Sequence, residues 1–261
     1  MLNLENAIAG LCVGSVVGLT GVGGGALMAP LMMLVFGVAP VTAVGTDLWF
    51  AAITKLFGAW VHHKKGTVDW PVLWRLFCGS MPAALLTLLW LYLSGTRQHH
   101  DGLVMKTLGA TLILTSAAAT FRSRFHAIGE RLRATRPVPF KAMQPGLTVV
   151  AGAILGVLVT LTSIGAGALG AVMLLYLYPR RLKSASLVGT DIVHAIPLTL
   201  LAGTGHLLMG NVDLGLLANL LLGSIPGIVL GSLAAVYAPA ALIRLLITVM
   251  LALVGLKMLT A

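Results

Sequence analysis

The sequence predicts an all-α polytopic membrane protein built from two inverted-topology repeats of about five helical segments each, with broken or re-entrant Gly-rich helices. Three observations predict this fold class: the composition, the spacing of apolar runs and an internal repeat. Of the 261 residues, 58% are hydrophobic and 9% are charged, whereas a soluble domain carries about 25% charged residues. Because one spanning helix needs about 20 mostly apolar residues, the chain has room for roughly eight to ten spans.

Apolar runs separated by Gly, Pro and charged residues divide the chain into ten helical segments. The first repeat, residues 1–120, contains segments at about 5–20, 24–37, 41–62, 70–93 and 102–120. A basic linker occupies residues 121–143. The second repeat, residues 144–261, contains segments at about 144–162, 165–178, 183–207, 213–236 and 240–259. Equal sets of segments on either side of a linker are typical of a duplicated transporter fold.

Short motifs at a nearly constant offset carry the internal repeat. Thr20, Gly23 and Gly25 recur 142 positions later as Thr162, Gly165 and Gly167. After a two-residue insertion the offset becomes 144, and it relates Gly45-Thr46-Asp47 to Gly189-Thr190-Asp191. The same offset relates His62, Gly66, Val68 and Asp69 to His206, Gly210, Val212 and Asp213. Such spacing predicts that the second half is a copy of the first.

The charges of equivalent loops predict how the copies are oriented. The loop at 62–65 contains two lysines, while its counterpart at 206–209 contains no Lys or Arg; the loop at 37–40 is uncharged, while 179–183 is basic. Because Lys and Arg are enriched in cytoplasmic loops, we expect the repeats to be inverted. The N-terminus is then outside and the basic linker inside, in the bacterial cytoplasmic (inner) membrane. Whether the first two segments span the membrane or re-enter it stays open.

The formal net charge of +10 does not indicate nucleic-acid binding, because the basic residues lie between apolar runs and not on a soluble module. The linker is amphipathic and basic, which predicts a short surface helix against anionic membrane lipid. Membrane lipid and a small anionic substrate are therefore the expected partners. The sequence leaves a monomer and a homodimer both open.

The glycine clusters in each half predict a substrate site. Glycine lets a helix break at membrane depth, and such a break must be buried in protein or line a wet cavity. The freed N–H groups and the positive end of the next helix would attract an anion. The candidate binding residues are Thr20, Gly21, Gly23, Gly24 and Gly25, and in the second half Thr162, Ser163, Gly165 and Gly167. The alternative is that these glycines only allow close helix packing.

Two acidic residues inside predicted spans are the candidates for proton coupling. Asp47 and Asp191 follow Thr46 and Thr190, which would add hydroxyl groups to the site. Ionisable residues within a span are costly and indicate function, although local capping or packing is the alternative. Lys55 is a counter-charge for the anion or a snorkelling side chain. His194, three residues after Asp191, is a proton relay or a packing histidine.

The remaining motifs indicate neither catalysis nor cofactor binding. Asp69 and Asp213 precede helical segments and are predicted N-caps. Gly21-x-Gly23-x-x-Ala26 lacks the βαβ context of a dinucleotide fingerprint, and no Gly-Lys-Ser/Thr follows it. We expect no cofactor, no metal site and no enzymatic activity, because no nucleophile–base pair or metal triad recurs at workable spacing.

The glycine cluster at 20–30, the Gly45-Thr46-Asp47 triplet and the duplicated layout resemble the TauE/SafE family of sulfite and organosulfonate transporters. The resemblance covers nearly the whole chain. Matching positions are Gly21, Gly23, Gly24, Gly25, Pro30, Gly45, Thr46, Gly165, Gly167, Gly189 and Thr190. The chain departs from the family pattern at Asp47 and Asp191, where a small neutral polar residue is frequent, and in its second cluster, where Ala166 replaces a glycine and Val172 replaces the proline.

The resemblance implies a secondary transporter that moves small sulfur-containing anions outward. Combined with the inverted repeats, it predicts alternating access around a site between the two broken helices, with Asp47, Asp191, Lys55 and His194 coupling protons to transport. The alternative is a cation or metal-ion carrier that uses the intramembrane Asp and His residues.

Overall fold

The computed structural model describes residues 4–20, 25–64, 66–95, 97–135, 137–234 and 240–260. Within these ranges the regular structure is helical throughout, which confirms the predicted all-α fold class. The helices in chain order are α1 (Leu4–Thr20), α2 (Gly25–Leu34), α3 (Pro40–Lys64), α4 (Trp70–Leu93), α5 (Arg97–Thr120), α6 (Arg122–Thr135), α7 (Pro137–Thr162), α8 (Ala168–Leu177), α9 (Ser184–Leu208), α10 (Leu214–Ala234) and α11 (Ala240–Thr260).

The predicted segments correspond to ten of these helices, and the linker supplies the other, α6. The helix α7 begins at Pro137, so residues 137–143 of the predicted linker are already helical. Proline is tolerated there because its missing N–H belongs to the unpaired first turn of a helix. The predicted start of this helix at residue 144 is therefore seven residues too late.

Five of the described helices are long and apolar enough to cross a membrane. They cover Trp70–Leu93, His100–Thr120, Pro137–Thr162, Ser184–Leu208 and Leu214–Gly231. Shorter apolar helices cover Leu4–Val16, Ala168–Leu177 and Ile247–Thr260. Many of their large apolar side chains face outward, such as Leu86 and Leu230, as expected for helices that lie in lipid.

Two helix pairs form the most extensive contacts, and each pair joins the two halves of the chain. α1 packs along α10, and α4 packs along α7. A Cβ at Gly79 would overlap the Val149 carbonyl oxygen, and a Cβ at Gly223 would overlap that of Ala7. Gly79 and Gly223 differ by 144 positions, and Ala7 and Val149 by 142. The same backbone approach therefore occurs in both pairs at the offsets of the sequence repeat.

The centre of the molecule is formed by equivalent helices that face each other. α3 packs against α9, and α5 packs against α11. The repeat relates α1 to α7, α4 to α10, α3 to α9 and α5 to α11. If each helix is replaced by its counterpart, the α3–α9 and α5–α11 pairs stay the same, and the α1–α10 pair becomes the α7–α4 pair. This contact pattern supports the predicted duplication, and it places α3 and α9, which carry the Gly-Thr-Asp triplets, at the middle of the fold.

Candidate functional site

The second glycine cluster interrupts the helix as predicted. α7 ends at Thr162 and α8 begins at Ala168, with residues 163–167 between them. Gly165 and Gly167 have φ values of 132° and 133°, a conformation that favours glycine, and Ser163 has φ 59°. Two hydrogen bonds close the segment, from Gly170 N–H to the Gly165 carbonyl and from Ala171 N–H to the Gly167 carbonyl, both at 3.0 Å. We call residues 163–167 the helix break.

The first glycine cluster is described only at its edges. α1 ends at Thr20 and α2 begins at Gly25. Residues 21–24 and the side chain of Thr20 lie outside the described residues. The predicted anion contacts of Gly21, Gly23 and Gly24 therefore stay predictions.

Polar groups at the helix break divide into those that end α7 and those that face the interior. The Thr162 hydroxyl donates to the Leu158 carbonyl at 2.6 Å and accepts from the Ile164 N–H at 3.1 Å, so it terminates α7. Ser163 is 3% exposed, and its hydroxyl lies beside the Asp47 carboxyl group without completing a hydrogen bond. The Gly167 N–H faces Asp191.

Lys55 reaches the helix break from the other half of the chain. Its Nζ donates to the Ala166 carbonyl at 3.5 Å and lies within electrostatic range of Asp47 and Asp191. Asp47, Lys55 and Asp191 are 0%, 6% and 5% exposed. α3, α9 and the helix break thus bring these predicted residues together, and we call Asp47, Lys55, Ser163 and Asp191 the central cluster.

Several polar atoms of the central cluster lack partners. Within the described ranges, both carboxylate oxygens of Asp47, Oδ1 of Asp191 and the Ser163 hydroxyl are buried without a hydrogen bond. A buried unpaired polar group costs roughly 1–3 kcal/mol, and nearly all such groups in native proteins find a partner. Unpaired atoms gathered around one lysine are the arrangement expected where a ligand or a proton binds.

Two residues at the site were not identified from the sequence. A Cβ at Gly170 of α8 would overlap Oδ1 of Asp191, so the carboxylate lies directly on the helix backbone. Ser80 of α4 hydrogen-bonds His194 between Oγ and Nε2 at 2.9 Å. Neither residue carries a separate signal in the sequence, because Gly170 is one of many glycines and Ser80 a single serine in an apolar helix.

His194 lies at the edge of the central cluster. It is 0% exposed, within electrostatic range of Lys55, and its Nδ1 finds no hydrogen-bond partner in the described part of the chain. A buried neutral imidazole with one nitrogen bonded and the other vacant can accept a proton from its surroundings. Both the relay and the packing interpretation of His194 are compatible with this environment.

Thr46 and Thr190 connect the two halves. Thr46 Oγ1 accepts a hydrogen bond from the Asp213 N–H at 3.0 Å, and Thr190 Oγ1 accepts from the Asp69 N–H at 2.9 Å. The two aspartates cap α10 and α4 as predicted, through the N–H groups that lie three residues further on. Each triplet therefore holds the start of a helix from the other half, and its threonine proton stays available for a second bond.

Among the described residues, an ion pair strengthens the Asp69 junction and none is seen at the Asp213 junction. The Arg181 guanidinium binds Asp69 with two hydrogen bonds, from Nε at 2.6 Å and from Nη2 at 2.8 Å. These hydrogen bonds raise the pKa of Arg181 further above its usual value, so it stays cationic. Tyr178 lies under this guanidinium and bonds Arg75 through its hydroxyl at 3.1 Å. One end of α8 thus faces the central cluster, and the other is tied to α4.

Known proteins resemble the chain over most of its length. The sequence model of the family described as "Sulfite exporter TauE/SafE" matches residues 6–258. A Bacillus subtilis (strain 168) protein named "Probable membrane transporter protein YjnA" is 40% identical over 215 residues, covering 81% of this chain and 82% of that protein. "Probable membrane transporter protein MJ0441" of Methanocaldococcus jannaschii is 26% identical over 215 residues, covering 79% and 72%. No solved structure matches the chain.

The family match spans both halves and includes the helix break and the central cluster. Together with the apolar helices, it makes the protein an integral membrane protein. The chain belongs to the TauE/SafE sulfite exporter family of membrane transporters.

Proposed function

We propose that the protein exports small sulfur-containing anions, such as sulfite or organosulfonates, by alternating access, and that the anion binds at the central cluster. The observation that carries the proposal is the buried Lys55 of the first half, which reaches the helix break of the second half. A buried ammonium group attracts a small anion far more strongly than an exposed one, because little water screens it.

Uncharged hydrogen-bond donors of the second half also contribute to binding of the anion. The Ser163 hydroxyl is buried without a partner among the described residues, and it can turn its proton toward an oxyanion. α8 begins at the helix break, so its N-terminal end adds a positive dipole there. By equivalence, we expect the start of α2 at Gly25 to add a second dipole from the first half, with Thr20, Gly21, Gly23 and Gly24 as further candidate contacts of the anion. Thr46 and Thr190 precede the two acids in sequence, and each hydroxyl accepts a backbone N–H from the other half, which fixes the helices that carry the acids.

Charge balance in the central cluster supports proton coupling. Asp47 and Asp191 supply two carboxyl groups, and Lys55 supplies one ammonium group. Because an unbalanced charge is costly at membrane depth, the empty cluster holds one proton on a carboxyl group and is neutral. A bound monovalent anion is then balanced by a second proton. Each anion moves with one proton and no net charge, so export proceeds when the product of the anion and proton concentrations is higher inside than outside.

The Asp69–Arg181 ion pair serves as the inner gate in this account. The loop charges favour a topology in the inner membrane with Asp69, Arg181 and the linker on the cytoplasmic side and the N-terminus outside. α8 joins the helix break to this ion pair over ten residues. A shift of α8 when the anion leaves Lys55 therefore acts directly on the ion pair, and breaking it opens the site inward.

One observation favours the alternative, a cation or metal-ion carrier. The unpaired oxygens of Asp47 and Asp191 are ligands that a cation prefers. Lys55 opposes this alternative, because its ammonium already interacts electrostatically with both carboxyl groups. The thermal stability of the purified protein separates the two: an anion carrier is stabilised by sulfite, and a cation carrier by a divalent cation such as Mg²⁺ or Zn²⁺.

The transport experiment uses methanesulfonate, an organosulfonate that binds no protons near neutral pH. Proteoliposomes are loaded with it, the membrane potential is clamped with potassium and valinomycin, and a dye reports the internal pH. We expect efflux with a rise of internal pH, because protons leave with the anion. Efflux without a pH change would contradict the coupling, and the lack of any protein-dependent efflux of methanesulfonate or sulfite would contradict the proposed substrate class.

A further inference from the structure

A cavity of about 830 Å³ lies between α5, α6, the loop 178–183 and α11. Its volume falls within the roughly 300–1,000 Å³ typical of small-molecule sites. None of the residues that line it belongs to the central cluster. The cavity is therefore a second candidate site, separate from the one assigned to transport.

The cavity lies at the depth where the apolar spans end. Thr120, which lines it, is the last residue of the candidate span His100–Thr120, and Ser184, also in its wall, is the first residue of the span Ser184–Leu208. The ends of spans mark the change from the hydrocarbon core to the headgroup layer of a bilayer. A ligand in this cavity would therefore lie at the depth of the lipid headgroups.

Basic side chains dominate the polar part of the cavity. Arg122, His126, Arg180 and Lys183 line it, and the described lining residues include no acidic one. Glu130 lies 3.9 Å from Arg180, and both side chains are about half exposed or more. An exposed pair at this distance contributes at most about 1 kcal/mol. Glu130 therefore offsets the charge of Arg180 only weakly.

The remaining wall is apolar. Leu175, Leu182 and Leu245 contribute to it, and Leu245 is 60% exposed, so the cavity continues onto the outer surface of α11. A free oxyanion would gain nothing from such a wall. A phospholipid uses both parts, because its phosphate binds basic groups and its acyl chains cover leucine.

We propose that this cavity binds an anionic phospholipid, with the phosphate against Arg122, Arg180 and Lys183 and the acyl chains along the surface of α11. His126 shapes the site, because its Nε2 is bonded to the Pro179 carbonyl at 3.3 Å and keeps α6 against the loop. The bound lipid joins α6 to the loop that carries Arg181. The lipid thereby stabilises the end of α8 that the Asp69–Arg181 ion pair also holds.

The test compares three additions to the detergent-purified full-length protein: dioleoylphosphatidylglycerol, dioleoylphosphatidylcholine and inorganic phosphate. We expect the melting temperature to rise with phosphatidylglycerol and to change little with the other two. An equal rise with phosphatidylcholine would overturn the charge recognition. An equal rise with inorganic phosphate would overturn the lipid and indicate a free-anion site.

Charge-removing variants test whether the rise in melting temperature with phosphatidylglycerol arises in the cavity. The double variant Arg180→Gln/Lys183→Gln should lose the phosphatidylglycerol-specific rise, while Arg131→Gln/Lys141→Gln should keep it. The control removes the same charge from exposed residues that do not line the cavity. Leu245→Glu, which puts a carboxylate at the mouth, should also abolish the rise. The proposal is overturned if both cavity variants respond to phosphatidylglycerol as the wild type does.

Discussion

The two halves of the molecule share the contacts that build the fold but differ in the polar groups that meet at its centre. Gly79 and Gly223 make the same backbone approaches, and Asp47 and Asp191 occupy equivalent positions. Lys55, by contrast, has Thr199 at the position 144 residues later. The copies therefore supply a symmetric frame and two symmetric acids, whereas the cation of the central cluster, Lys55, comes from the first copy and has no equivalent lysine in the second.

Further differences between the halves lie at His194 of α9 and at the junction that contains Asp69. His194 of α9 corresponds to Phe50 of α3, and the Asp69 junction has an ion pair with Arg181. The loop 37–40, which corresponds to the loop carrying Arg181, contains no Lys or Arg. Both copies keep the glycines that helix packing requires and the two acids that we assign to proton coupling. Features present in one copy are where we place anion recognition and gating.

The largest expected effect comes from breaking the shared frame. Gly79→Ala and Gly223→Ala each drive a Cβ into a carbonyl oxygen of the facing helix, and overpacking of this kind costs about 3 kcal/mol or more. We expect both variants to give little folded protein by size-exclusion chromatography of detergent extracts. Gly146→Ala is the control, because its Cβ meets nothing within 4 Å. If only one variant fails, the two halves are not equivalent in packing.

A smaller effect tests the symmetric acids. The double variant Asp47→Asn/Asp191→Asn imitates two permanently protonated carboxyl groups beside Lys55. Wild-type affinity for methanesulfonate should fall as pH rises, because the second proton is lost. The double variant should keep its affinity at high pH, because neither side chain can lose a proton, and its efflux of methanesulfonate should no longer raise the internal pH. Glu130→Gln, at an exposed site on α6, should keep the wild-type pH profile. Identical profiles in all three proteins would contradict the coupling.

The smallest effect concerns the one-sided ion pair. Arg181→Gln removes a partly exposed pair, which contributes on the order of 1 kcal/mol to stability. We expect faster hydrogen–deuterium exchange in α8 and the loop that follows it, with exchange in α2 unchanged. The variant Arg131→Gln serves as the control for lost charge. Unchanged exchange in α8 would mean that the ion pair does not hold this helix.

Sequence reasoning predicted what depends on local pattern. The apolar runs, the helix break after Thr162 and the caps at Asp69 and Asp213 follow from residue type and spacing, and the structure contains all of them. The repeat offsets also indicated that α3 and α9 are equivalent helices. Their direct contact, however, depends on the packing of the whole bundle.

What the sequence did not predict are contacts between distant residues. The approach of Lys55 to the Ala166 carbonyl spans 111 positions, and the bond from the Asp213 N–H to Thr46 spans 167. Gly170 and Ser80 gave no separate signal, because their roles depend on which side chain of another helix lies against them. Helix boundaries near proline were also misplaced, since a proline that begins a helix and one that interrupts it look the same in a single sequence.

The central claim is that the buried Lys55 holds the anion, and equilibrium binding of radiolabelled sulfite to the purified protein tests it most directly. Lys55→Met keeps the length of the side chain and removes its charge, and Lys106→Met removes an exposed lysine of α5. We predict that Lys55→Met weakens sulfite binding by at least about 100-fold, the loss of roughly 3 kcal/mol expected for a buried charge-assisted contact, while Lys106→Met binds as the wild type does. Sulfite binding by a folded Lys55→Met protein with wild-type affinity would contradict the account.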